Sequence, residues 1–142
     1  MLELGDGSGL LEVGEGLGIV DDVPAIREYL QTLLDSAGAT VAVASDGFSA
    51  VSTATQAVTN GAPFDVILMD IQMPGMDGYA ATRTLRDGGY TGAIVAVTAS
   101  AMDTDREQCL AAGCNEFEGK PLNRSSLLNR IAKYTASRRQ SG

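Results

Sequence analysis

The stretch Phe64-Asp65-Val66-Ile67-Leu68-Met69-Asp70-Ile71-Gln72-Met73-Pro74-Gly75-Met76-Asp77-Gly78 decides how this chain is read. Its first half is a short apolar run of the kind that forms a strand buried on both faces. Its second half, with Pro74, Gly75 and Gly78, has the residues of a tight turn. Asp70 stands at the junction, so a buried strand delivers a carboxylate onto a turn. Two more polar groups follow apolar runs in the same way: Asp21-Asp22 after residues 17–20, and Lys120-Pro121 after residues 114–117. Three acids and one lysine converging at the carboxyl edge of a sheet form a magnesium-and-phosphoryl site.

Working outward, apolar runs of strand length alternate with helical patterns. Strands are predicted at 17–20, 40–44, 65–69, 93–97 and 114–117. The first helix begins after Asp22, with Pro24 in its first turn, where a missing N–H costs nothing. Its apolar residues Ile26, Tyr29, Leu30, Leu33 and Leu34 fall at helical spacing, and Gly38 closes it. Asp46 caps the second helix, which ends at Asn60-Gly61. The third runs from about Asp77 to Arg86, and the fourth lies near residues 103–112, stopped by Gly113. The fifth follows Asn123 with Leu127, Leu128, Ile131 and Tyr134 on one face. Five strands, each followed by a helix across a short loop, predict an α/β fold with a doubly wound parallel sheet and helices on both faces. Ligands in such folds bind at the carboxyl ends of the strands.

At 142 residues the chain has the size of one domain, and 44% hydrophobic with 20% charged residues is ordinary globular composition. A net charge of −8 argues against a nucleic-acid surface, which needs clustered Lys and Arg. The chain has no histidine, which excludes a histidine kinase core, a phosphohistidine carrier and His-ligated zinc as its own chemistry. Cys109 and Cys114 read as small core residues in a reducing cytosol, so the expected location is cytoplasmic. No apolar run approaches the ~18 residues needed to span a bilayer. Residues 1–16 carry five glycines and four acids with no basic residue, the composition of a flexible leader or linker. Residues 136–142 read as a polar tail.

With these motifs in place, the chain resembles the receiver domains of two-component response regulators over residues 17–135. The matching residues are Val20-Asp21-Asp22, the run from Leu68 to Gly78, Val97-Thr98-Ala99 and Lys120-Pro121. Around Asp70 the wording is most similar to receivers of hybrid sensor histidine kinases. The resemblance implies a flavodoxin-like strand order of 2-1-3-4-5. It implies Asp70 as phospho-acceptor, with Asp22, Asp70 and the Gln72 carbonyl as Mg2+ ligands and Asp21 acting mostly through water. Lys120, the Thr98 hydroxyl and the Ala99 N–H would contact the phosphoryl group. Thr98 and Phe117 would form the switch, and Pro121 would follow a cis peptide.

The implied donor is a histidine kinase or a histidine phosphotransfer domain. A homodimer mate through helix four, strand five and helix five is a further implied partner. The domain would catalyse its own phosphorylation and dephosphorylation while being no histidine kinase by itself. Whether it is a stand-alone regulator or a piece of a hybrid kinase stays open. The alternative is an aspartate-nucleophile phosphatase of similar fold, which typically has a second Asp where Gln72 stands. The chain departs from the family pattern at Gly16 and Gly18, where an aliphatic strand is usual. It departs again at Glu118-Gly119, where an apolar-then-small pair is usual.

Overall fold

Strand β3 (Val66–Asp70) is buried along its whole length, and its side chains alternate between two apolar layers. Val66 and Leu68 join Leu17, Ile19, Val95 and Val97 on one face. Ile67 and Met69 join Val20, Ile94 and Ala96 on the other. This is the two-sided burial that a continuous apolar run predicts. The computed structural model describes residues 16–99, 103–120 and 122–141, with side chains for all of these except 103–105 and 135–141.

β3 lies between β1 (Gly16–Val20) and β4 (Ala93–Thr98), with β2 (Thr40–Ala44) and β5 (Glu116–Gly119) at the edges. Every pairing is parallel and the order is β2-β1-β3-β4-β5, as expected. Helices α1 (Pro24–Ser36) and α5 (Arg124–Ser141) cover the first face through Leu30, Leu33, Leu34, Leu127, Leu128 and Ile131. Helices α2 (Gly47–Thr59), α3 (Gly78–Asp87) and α4 (Asp103–Ala112) cover the second, where Ala50, Ala54, Ala81 and Leu85 let backbones approach the sheet.

Short polar residues start three of the helices, α2, α3 and α5. Asp46 accepts from the Ser49 N–H at 2.8 Å, Asp77 from Ala80 at 2.9 Å and Asn123 from Ser126 at 2.9 Å. Each satisfies a donor that the first helical turn leaves open. Gly113 ends α4 at φ 114°, with its N–H on the Leu110 carbonyl and the Cys114 N–H on the Cys109 carbonyl. This paired closure needs the left-handed region that glycine enters freely.

That closure corrects one expectation. β5 begins at Glu116, two residues later than predicted, because Cys114 is still finishing the α4 cap. Asn115 follows with its N–H on the Ile94 carbonyl, while its side-chain oxygen accepts from the Ile94 N–H. β3 is likewise shifted by one residue, so Asp70 is its last residue and not the first of the turn. Gly16, read as the end of the leader, pairs with Thr40 in β1. α5 runs on to Ser141 across the stretch read as a tail, with no Gly or Pro inside it to stop it. Residues 1–15 and Pro121, with the cis peptide expected before it, lie outside the described residues.

The two glycines of β1 have a steric reason. A Cβ on Gly16 would stand 3.2 Å from the Phe64 ring, and one on Gly18 would stand 3.3 Å from the Ile67 side chain. Those larger side chains fill the space that an aliphatic β1 residue would take. At the amino edge of the sheet, Arg86 donates to the carbonyls of Tyr90, Gly92 and Gly113 and to Asn115 Oδ1. One α3 side chain thus ties two turns together at the end opposite the acids.

Candidate functional site

The predicted acids, Thr98 and Lys120 fall at carboxyl strand ends, with Ala99 and Gln72 just beyond, while Phe117 lies within β5. β1 runs out at Val20 and hands the chain to Asp21 and Asp22; β3 ends on Asp70; β4 ends on Thr98; β5 ends one residue before Lys120. The parallel register aligns these ends, so residues far apart in sequence meet without long loops.

Asp21 and Asp70 are almost wholly buried, at 1% and 2% exposure, and Asp22 is half-buried beside them. Oxygens from the three carboxylates all lie within 4.8 Å of one another. Lys120 Nζ stands 3.5 Å from Asp70 Oδ1 and 3.6 Å from Asp21 Oδ2, bridging the two buried acids. The Val23 N–H donates to Asp21 Oδ1 at 2.9 Å, and Arg27 donates to the Asp21 carbonyl at 2.7 Å. The Gln72 N–H donates to Asp70 Oδ1 at 3.2 Å.

One lysine does not balance three acids. Burial, then the charge of Asp21, pushes the Asp70 carboxyl up to about 6, against the opposing pull of Lys120 and the Gln72 N–H. A cluster of hard oxygen donors that holds a proton this tightly fits a small divalent cation better than it fits solvent.

Thr98 is buried at the end of β4, and its carbonyl accepts from the Lys120 N–H at 2.7 Å. Ala99 is the exposed residue just after it. Phe117 is half-buried on the α4 side of β5, with the Arg106 guanidinium 5.9 Å from its ring centre. The turn from Asp70 to Gly78 is close-packed: a Cβ on Gly78 would come within 2.4 Å of the Asp70 carbonyl.

Sequence reasoning missed two features. Arg27, at helical spacing on α1, was silent because its partner is a backbone carbonyl. Glu118 looked like a disruption but is a buried, paired carboxylate: Ser126 Oγ and Arg130 Nε both donate to it. The i, i+4 pair Ser126 and Arg130 marks one helix face, but nothing in the sequence ties that face to Glu118.

A family model for the response regulator receiver domain matches residues 17–132. The chain belongs to the response regulator receiver family. The receiver is 37% identical over 121 residues to the sensor protein GacS of Pseudomonas syringae pv. syringae, covering 82% of this chain and 13% of that protein. It therefore spans only a small part of such sensor kinases.

Among solved structures, one neighbour is the receiver domain of the sensor histidine kinase PA1611 from Pseudomonas aeruginosa PAO1. It is 34% identical with a TM-score of 0.77, covers 87% of this receiver and 99% of that chain, and has a magnesium ion coordinated in its active-site cleft. Another is the Saccharomyces cerevisiae co-crystal of the histidine phosphotransfer protein Ypd1 with the receiver domain of Ssk1. There the match is 25% identical with a TM-score of 0.77, over 87% of this receiver and 90% of that chain. No described helix of this receiver is long and apolar enough to cross a membrane.

Proposed function

We propose that this domain accepts a phosphoryl group on Asp70 from a phosphohistidine donor, with Mg2+ as cofactor, and so switches or relays a two-component signal. The observation that carries the reading is Asp70, buried at a strand end, with Asp21, Asp22 and Lys120 gathered round it.

Asp70 is the nucleophile. One of its oxygens forms the new P–O bond while the P–N bond to the donor histidine breaks, and the imidazole leaves with the electron pair. Asp22, Asp70 and the Gln72 carbonyl would hold the metal, with Asp21 acting mostly through water. When bound, Mg2+ neutralises charge on the carboxylates and on the transferring group. Lys120 offers a point charge to a phosphoryl oxygen, and the Thr98 hydroxyl and Ala99 N–H offer hydrogen bonds. The product is an acyl phosphate on Asp70.

The partner reading has surface support. Beside Lys120 a groove of about 370 Å³ is lined by Ala25, Ile26, Tyr29 and Leu122, and Val23 and Phe48 are exposed near the same edge. A donor must cover Asp70 to deliver its phosphoryl group, and these apolar groups ring the approach. A phosphotransfer domain is the occupant this reading assigns to the groove.

For output, the Thr98 hydroxyl moves toward the phosphoryl group and Phe117 turns inward, reshaping the face of α4, β5 and α5. A homodimer mate is the second partner assigned to that face. The coupling is a bias between two states of one side chain, not proximity alone.

The test of the core reading is intact mass after incubation with acetyl phosphate and Mg2+. One added phosphoryl group, labile to hydroxylamine, is expected in the parent and none in Asp70→Asn. Equal labelling of both proteins overturns the assignment.

A further inference from the structure

Glu118 sits where an apolar residue is usual, at 8% exposure and opposite Val97 in the β4–β5 register. A carboxylate buried in such a place is costly unless paired and hydrogen-bonded. Its partners all come from α5. Ser126 Oγ stands 3.1 and 3.3 Å from its two oxygens, and Arg130 Nε donates to Oε1 at 2.7 Å.

Ser126 also donates its backbone N–H to Asn123 Oδ1 at 2.9 Å. One residue of α5 therefore holds both the last part of β5 and the end of the connecting loop. Lys120 lies between these holds. From the sheet side the same loop is fixed by the Lys120 N–H on the Thr98 carbonyl.

We infer that Glu118 is a positioning residue for Lys120: its clasp to Ser126 and Arg130 fixes the loop that aims the ammonium group between Asp21 and Asp70. The inference rests on the reading above, in which Lys120 meets the phosphoryl group. Lysine carries its charge on a flexible stem, so its aim depends on where the backbone is held. Misplacing a reacting group by about 1 Å can cost on the order of 100-fold in rate.

Glu116 provides an internal control. It lies two residues earlier on the same strand face and shares Arg130 with Glu118, but its other partners, Lys133 and Tyr134, make no bond to Glu118. A variant at Lys133 therefore removes a β5–α5 contact without touching the clasp.

The experiment measures phosphorylation by acetyl phosphate at saturating Mg2+ in the parent, Glu118→Gln, Ser126→Ala and Lys133→Met, with unfolding midpoints alongside. Glu118→Gln is expected to slow phosphorylation about tenfold, Ser126→Ala by less, and Lys133→Met not at all. In a Lys120→Met background Glu118→Gln should cause no further loss, as it must if it acts through Lys120. The nitrogen resonance of the Lys120 ammonium in the resting protein gives a second readout. It should move toward that of free lysine in Glu118→Gln and stay put in Lys133→Met.

An equal loss in both backgrounds, or an unmoved Lys120 resonance, overturns the clasp. A parent that takes no phosphoryl group overturns the functional reading instead, while the resonance still decides the clasp.

Discussion

The backbone N–H of Lys120 donates to the carbonyl of Thr98 at 2.7 Å, continuing the ladder that pairs Thr98 with Gly119. The cation and the hydroxyl assigned to the phosphoryl group are thus mounted on adjoining strand ends that share a bond. Neither backbone moves without the other. Removing either side-chain donor, by Lys120→Met or Thr98→Ala, should slow phosphorylation by acetyl phosphate about 10²–10³-fold. Because they serve one group, the double variant should lose less than the product of the two, which single-turnover mass measurements will show.

Magnesium and protons should compete at Asp70. Its carboxyl is pushed up to about 6, so between pH ~4 and ~6 the folded domain holds a proton there that the unfolded chain has already released. Stability from this group is therefore present below pH ~4 and lost as pH rises to ~6, on the order of 1–3 kcal/mol. Mg2+ should restore it at neutral pH, and Asp70→Asn should raise the unfolding free energy of the metal-free domain at pH 7. Below pH ~6 the metal affinity, on the order of millimolar at neutrality, should fall about tenfold per pH unit. Asp22→Ala should abolish metal binding and Asp21→Ala should weaken it. Calorimetric and chemical-shift titrations across that range check both statements.

Donor identity should separate docking from chemistry. Tyr29→Ala and Phe48→Ala remove exposed apolar groups, one lining the groove beside Lys120 and one beside Gly75 of the turn after Asp70. Transfer from a phosphohistidine domain should slow, by a factor set by lost apolar contact of about 1–3 kcal/mol. Acetyl phosphate, which needs no docking surface, should label both variants at the parental rate. Parallel slowing with the two donors would place these residues in the fold and not at the interface.

The Arg106 guanidinium over Phe117 should hold the switch ring outward, by about 0.5–1 kcal/mol for an exposed contact of this kind. Arg106→Ala should then shift resting amide resonances of β5 toward those recorded with beryllofluoride and Mg2+. Thr98→Ala should block the beryllofluoride response itself.

The turn after Asp70 offers a stability test. Gly78→Ala would push a methyl into the Asp70 carbonyl and the Ile71 backbone, and backbone cannot move aside as a side-chain tip can. A loss of about 1–3 kcal/mol is expected from denaturant unfolding.

Much of this architecture was legible because its signals are local. Buried strands announce themselves as apolar runs, and the caps at Asp46, Asp77 and Asn123 each lie three residues before their partner N–H. The site acids followed from strand ends, which a parallel sheet must align. β5 was misjudged because apolar Cys114 looks like strand yet serves the cap of α4. Glu118 and Arg86 were opaque for another reason. Their partners lie on other elements, and no spacing rule links Glu118 to Arg130 or Arg86 to Gly113 before the fold is known.

The acids of β5 carry one more consequence. β5 is an outermost strand, with its outer row of peptide groups unmatched by any neighbouring strand among the described residues. Such a row is a template on which a foreign chain could crystallise into a continuous ribbon. Here a strand of only four residues alternates Glu116 and Glu118 with Phe117 and Gly119, and its acids are engaged by α5. An incoming strand laid along it would meet short length, negative charge and a covering helix. The same acids that anchor α5 therefore guard this edge against fibrous self-association.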